Sequence, residues 1–295
     1  MGNTYRGRLA PSPTGYLHIG HARTFWAAYQ RARNAGGTLV LRMEDLDPER
    51  SRGVYADAAL EDLRWLGIAW QEGPDVGGPF EPYAQSQRYE LYREAWQKLL
   101  QDGLIYPCRC SRKDLAAALS APHEGADAPD ADDEPLYPGT CRALPLHGAN
   151  SWMKEEAGRE MIGANWRFRV TDGDGIEFVD LNLGPQRLVA GKDFGDFVVI
   201  RRDGVASYQL ACVVDDAAMQ ITEVVRGADL LKSTARQILL NRAFGYANPA
   251  WFHCSLVVDE QGQRLAKRDD ALSIRTLRQQ GLSPTEVRSR YDAKV

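Results

Sequence analysis

The sequence predicts an α/β fold in which a parallel sheet is built in two halves around an inserted segment. Three observations carry that expectation. Residues 6–43 read as strand, loop, helix and strand; strands alternate with helices again over 197–258; and the stretch between them differs in composition.

Arg6 to Ala10 suits a short strand, and it runs into Pro11-Ser12-Pro13-Thr14-Gly15, where two prolines and a glycine forbid regular structure. His18 to Arg33 reads as a helix that stops at Ala35-Gly36-Gly37. Thr38 to Met43 is β-prone, which makes the opening 43 residues a βαβ crossover. Val54 to Leu66 and Arg88 to Gln101 repeat apolar residues at helical spacing, with the Gly/Pro-rich loop Gly73 to Pro82 between them. After Tyr106 the composition shifts. Residues 116–136 are rich in Ala, Asp and Pro, with almost no large apolar side chains, and read as a flexible acidic loop. Residues 165–183 alternate like strands around an Asp172–Gly175 turn. Phe197 to Arg201 and Val205 to Tyr208 flank Arg202-Asp203-Gly204, a hairpin signal. Gln209 to Asp216 and Leu230 to Phe244 read as helices, and Ile221 to Val225 and Trp251 to Val258 as strands. The expected division is therefore 1–106 and 196–258 for the two core halves, 107–195 for the insert and 259–295 for a C-terminal extension.

Composition narrows the function classes. Hydrophobic residues make up 44% and charged residues 26%, ordinary for a globular chain. Apolar runs are strand-sized, well short of the roughly 20 residues that cross a bilayer. The N-terminus lacks a secretory layout, so a cytoplasmic location is expected, with no membrane partner. A net charge of −4 advertises no global basic field, although Arg264, Lys267, Arg268, Arg275 and Arg278 crowd the end of the chain. Five cysteines, an odd number, argue against a fully paired disulfide scaffold.

Two places can carry phosphate chemistry. The turn after the first strand delivers the chain to a helix N-terminus, whose free N–H groups and dipole favour an anion. His18 and His21 share one face of that first turn, and Gly20 lets a ligand approach the backbone. Two such histidines alone would favour a surface or metal role; their place after a strand and a Pro-Gly turn favours phosphate. Near the C-terminus, Arg264-Leu265-Ala266-Lys267-Arg268 follows a strand and a turn, where Lys267 can neutralise charge developing on a leaving pyrophosphate. By itself that pentapeptide reads as a solvated loop.

Together the two elements resemble the signatures of class I aminoacyl-tRNA synthetases. His18-Ile19-Gly20-His21 matches the HIGH motif letter for letter, and Arg264–Arg268 is similar to KMSKS, with Ala266 and Arg268 in place of the serines. Arg8–Gly15, Leu41–Asp47, Tyr208–Asp216 and Val225–Leu230 are similar to the glutamate-specific branch, in order along nearly the whole chain. The resemblance implies a Rossmann-like catalytic core. It also implies that Arg8, Ala10, Ser12, Glu44, Tyr208 and Arg226 bind glutamate, and that Pro11, Thr14, Gly15, His18, Gly20, His21, Arg264, Leu265 and Lys267 bind ATP with Mg²⁺. His18, His21 and Lys267 would act on the phosphates. The chemistry is consistent: two guanidinium forks suit two carboxylates, and Glu44 suits an ammonium, although ordinary ion pairing accounts for Arg8 and Glu44 equally well on residue type alone.

Cys108-Arg109-Cys110 and Tyr137-Pro-Gly-Thr-Cys141 offer three thiolates, which suit zinc once a fourth ligand is found. Cysteines in that number leave zinc and plain reduced thiols even. The glutamyl-Q tRNA(Asp) synthetases, which the pattern resembles, imply a structural Zn²⁺ held by Cys108, Cys110, Tyr137 and Cys141 in the inserted α+β subdomain; His123 is the rival for Tyr137. Cys212 and Cys254 are expected in the core. Only 27 residues follow Arg268, too few for an anticodon-binding domain, and this points to the same family. It implies a monomer that activates L-glutamate and transfers it to queuosine in the anticodon stem-loop of tRNA(Asp). The alternatives are charging of a tRNA 3′ end and a non-catalytic binding protein.

Overall fold

A computed structural model describes residues 4–111, 114, 136–142, 161–256 and 273–289. The acidic stretch up to residue 135, His123, and Arg264, Leu265 and Lys267 lie outside the described residues.

The first half is the expected crossover. β1 (Arg6–Leu9) pairs in parallel with β2 (Thr38–Leu41), and α1 (Ile19–Asn34) connects them. Ile19, Ala22, Phe25, Ala28 and Ala32 form the buried stripe of α1, and its alanines let the helix axis approach the sheet. The link back to β2 needs Gly37, because a Cβ there would stand 2.5 Å from the Tyr5 carbonyl oxygen. Two amphipathic helices follow, α2 (Gly53–Trp65) and α3 (Tyr89–Gln101).

The middle of the chain supplies β3 (Ile105–Cys108), β4 (Asn165–Phe168), β5 (Gly175–Asp180), β6 (Gly184–Val189) and β7 (Phe197–Ile200). The last third supplies α4 (Tyr208–Ala218), β8 (Glu223–Gly227), α5 (Leu231–Phe244) and β9 (Ala250–Cys254). The short helices α6 (Ile274–Gln279) and α7 (Pro284–Ser289) complete the described residues. Gly245, at φ 72°, takes the left-handed position that ends α5.

β8 and β9 pair in parallel around α5, and β9 continues in parallel to β5, with β6 antiparallel outside it. β8 also lies along β1: the Thr222 amide donates to the Arg6 carbonyl at 2.9 Å, and Arg8 Nη1 donates to the Val225 carbonyl at 3.0 Å. The two halves thus meet at β1 and β8, and parallel strands run through both. A separate antiparallel sheet has the order β3-β4-β7. Sheet membership crosses the division expected near residue 195, since β5 and β6 attach to β9 and β7 pairs with β4.

Three local expectations need correction. The expected strands do not include β3 and β6, which carry Pro107 and Pro185. Both lie at sheet edges, where a proline is tolerated. The hairpin at 197–208 has only one true arm. After the turn, Ala206 alone bridges Ile200, and Ser207 then caps α4 by accepting the Leu210 amide. Among the described residues, no helix is long and apolar enough to cross a membrane.

Candidate active site

The loop leaving β1 is tied to the chain leaving β2. The Glu44 amide donates to the Pro11 carbonyl at 2.9 Å and the Arg52 amide to the Pro13 carbonyl at 3.0 Å. Ser12 and Thr14 are exposed on this loop, and Ala10 is half-buried. His18 then caps α1 in an extended conformation, φ −98° and ψ 169°. Its backbone N–H donates to His21 Nδ1 at 3.2 Å, and its side chain takes the His21 amide. An Nδ1 that accepts leaves the His21 proton on Nε2, as a donor. The two imidazole centroids stand 6.1 Å apart. A Cβ built on Gly15 or Gly20 meets nothing within 4 Å, so the space over this helix N-terminus is open.

Both flanks of residues 257–272 sit beside the same turn. Arg23 Nη1 donates to the Ser255 carbonyl at 3.2 Å, where the chain leaves. Where it returns, Ser273 bridges His18, and the Ile274 amide donates to the Leu17 carbonyl at 2.8 Å.

Arg8, Glu44, Tyr208 and Arg226 come together at the C-terminal ends of β1, β2 and β8 and the start of α4. Arg8 is buried, with Nε 3.6 Å from Asp216 Oδ1 and without a hydrogen-bond partner. Arg42, completely buried, donates to Asp216 Oδ1 at 2.6 Å and to Glu44 Oε1 at 3.0 Å. Cys212 Sγ donates to the same Glu44 oxygen at 3.4 Å. Arg226 Nη1 donates to the Tyr208 hydroxyl at 3.2 Å. Burial pushes the Tyr208 hydroxyl up, with Cys212 and Glu44 helping against Arg226 and Arg8, so it stays a protonated donor. Burial opposes the charge on Arg42, but Asp216, Glu44 and Asp215 outweigh it and hold the guanidinium charged.

A second cluster lies at the end of β3. Cys108, Cys110 and Cys141 place their sulfurs within 4.8 Å of one another, with Cys110 and Cys141 at 3.6 Å. The Tyr137 hydroxyl is 3.4 Å from Cys108 Sγ and 3.6 Å from Cys110 Sγ. Tetrahedral zinc with bonds of about 2.3 Å to sulfur and about 2.0 Å to oxygen separates its ligands by roughly 3.5–3.8 Å, so the donor set fits that ion. The Tyr137 ring is also held by Arg167, 4.1 Å above it, and the hydroxyl accepts the Cys141 amide at 2.8 Å. Burial pushes the Cys110 thiol up to about 11, whereas at Cys141 burial is outweighed by the hydrogen bonds of Tyr137 and the Arg109 backbone, which bring the thiol down.

Several residues of the pocket were not singled out from sequence. Arg42, Asp215 and Asp216 stand inside the quoted motifs, yet nothing in their spacing says that they meet. Cys212 is buried as expected, and it also touches Glu44. Asp180 and His253 carry no local signal at all.

A model of the catalytic domain of class I tRNA synthetases (E and Q) matches residues 4–290. The glutamyl-Q tRNA(Asp) synthetase of Symbiobacterium thermophilum is 51% identical over 283 residues, 95% of this chain and 83% of that relative. Its namesake in Nitratidesulfovibrio vulgaris is 47% identical, covering 96% of this chain and 83% of its own length. The crystal structure of a glutamate tRNA ligase from Elizabethkingia meningosepticum in complex with its amino acid superposes with a TM-score of 0.76 at 30% identity. That likeness covers 90% of this chain, which spans about half of the ligase, 52%.

Proposed function

The chain belongs to the class I tRNA synthetases of the glutamate and glutamine family, and from that membership we propose that it activates L-glutamate and transfers it to queuosine in tRNA(Asp). The observation that carries the glutamate half is the meeting of Arg8, Glu44, Tyr208 and Arg226 in one pocket beside the His18–His21 turn. Two guanidinium groups answer two carboxylates, Glu44 answers the ammonium, and Tyr208, Ser12 and the Ala10 backbone complete the polar lining. The queuosine half is supported by two relatives, 51% and 47% identical, that bear the name glutamyl-Q tRNA(Asp) synthetase.

ATP enters with Mg²⁺ over Pro11, Thr14, Gly15 and Gly20, where the open helix N-terminus favours phosphate. A glutamate α-carboxylate oxygen attacks the α-phosphorus, and the bond to pyrophosphate breaks. His18 and His21 donate hydrogen bonds to the phosphates; Lys267 and Arg264 neutralise the departing charge, and Leu265 belongs to the same ATP-binding segment. A hydroxyl of the queuosine cyclopentene ring then takes the acyl carbon and AMP leaves. These steps need positioning and charge, and no covalent link to the protein. Cys108, Cys110, Tyr137 and Cys141 would hold a structural Zn²⁺ that pins the end of β3 to residues 137–141. The protein acts as a cytoplasmic monomer on the anticodon stem-loop.

The test incubates the chain with labelled glutamate, ATP and tRNA(Asp) that contains or lacks queuosine. Label confined to the queuosine-containing tRNA is expected. Label on tRNA(Glu), or on tRNA(Asp) irrespective of queuosine, would overturn the acceptor. Glutamate-dependent pyrophosphate exchange without tRNA reports the activation step, and its absence would favour a binding module.

A further inference from the structure

We propose that His253 and Asp180 are positioning residues for Arg226, fixing the guanidinium in the orientation that meets a substrate carboxylate; this rests on the reading of Arg226 as a glutamate-binding residue. Both are fully buried behind the pocket, His253 on β9 and Asp180 at the end of β5. Arg226 Nε lies 3.2 Å from His253 Nε2. An arginine N–H only donates, so His253 Nε2 must accept and its proton must sit on Nδ1. Nδ1 is 2.6 Å from Asp180 Oδ2, the partner this tautomer requires.

Asp180 is itself held rigidly. It accepts backbone amides of Asn182 at 3.0 Å, Leu183 at 2.8 Å and His253 at 3.1 Å. Burial works against its charge, and the His253 and backbone hydrogen bonds outweigh it and keep the carboxyl below its ordinary range. Burial and the Arg226 charge in turn hold the His253 imidazole down to about 4, so it stays neutral.

The other edges of the guanidinium are occupied as well. Nη1 donates to the Tyr208 hydroxyl at 3.2 Å and to Gln237 Oε1 at 2.9 Å, and Nη2 donates to Thr234 Oγ1 at 2.7 Å. Its face stands 5.0 Å over the Trp251 ring. Of the five guanidinium N–H groups, four are thus committed within the protein, and one on Nη2 remains for a ligand. The Tyr208 hydroxyl, which accepts from Arg226, keeps its own proton to donate beside it. Deleting the His253 acceptor would free the Nε edge and let the plane turn away from the substrate.

The experiment measures glutamate-dependent pyrophosphate exchange with the full chain. His253→Asn keeps a donor for Asp180 and deletes the acceptor for Arg226; it is expected to raise KM for glutamate about tenfold, the worth of a hydrogen bond to a charged group. KM for ATP should move less than about twofold. Asp180→Asn should behave alike, because its amide N–H facing Nδ1 drives the proton to Nε2. His253→Gln, whose side-chain oxygen reaches the Nε2 position, should restore most of the affinity. A normal glutamate KM in His253→Asn, or equal rises for glutamate and ATP in all three variants, would overturn the proposal. Arg226→Ala separates the two readings. If it raises the glutamate KM while His253→Asn does not, only the positioning role fails. If it leaves that KM unchanged, the reading of Arg226 fails and this inference falls with it.

Discussion

Arg42→Met is the perturbation whose cost the structure lets one work out most fully. The guanidinium is completely buried among three carboxylates: Asp216 at 2.6 Å, Glu44 at 3.0 Å and Asp215 at 3.8 Å. After the replacement Asp215 still has Arg88 at 2.6 Å, Gln85 at 2.7 Å and Tyr92 at 2.9 Å. Asp216 still has Arg8 Nε at 3.6 Å. Glu44 keeps only the Cys212 thiol at 3.4 Å and becomes a nearly buried carboxylate with no cation in contact. Leaving one buried charge without its partner costs about 3–5 kcal/mol, whereas the methionine recovers only part of the lost packing.

In a chain of this size that loss lowers the thermal midpoint by roughly 5–8 °C at neutral pH. Scanning calorimetry or urea unfolding reads it directly. A loss under about 1 kcal/mol would refute this account of Arg42.

Other consequences follow from the same geometry. Gly20→Ala should stabilise the fold by roughly 0.5–1 kcal/mol, since α1 gains a better helix former and the Cβ meets nothing within 4 Å. The same methyl should raise KM for ATP in pyrophosphate exchange, and an unchanged KM would mean that the nucleotide does not use this face. Chelation or Cys110→Ser should release one zinc per chain and lower the melting temperature; a metal-free parent with unchanged melting would count against the zinc reading. The His253 imidazole, held down to about 4 from 6.5, binds fewer protons folded than unfolded between those pH values. Its stabilising contribution is complete above pH 6.5 and falls away toward pH 4, about 3 kcal/mol in all at 1.36 kcal/mol per unit. His253→Asn should flatten the pH–stability curve in that window, and parallel curves would refute it.

What the sequence made legible was local. The Pro-Gly turn, the His18–His21 spacing and the long α5 each state their structure within a few residues, and each stands where it was expected. β3 and β6 each carry a proline, which speaks against a strand until one knows that the strand is an edge. The pocket was legible only through resemblance. Arg42 meets Asp216 across 174 residues and His253 meets Asp180 across 73, and no periodicity carries such pairings.

Charge balance in the assembled pocket says something that no single motif does. Arg88 and Asp215 neutralise each other at 2.6 Å in the interior. Arg8, Arg42 and Arg226 stand against Glu44, Asp216 and, across the neutral His253, Asp180: three guanidinium groups against three carboxylates. The buried charges are thus matched within the protein, and removing any one of them leaves another without its counter-charge, a situation that low dielectric surroundings penalise heavily.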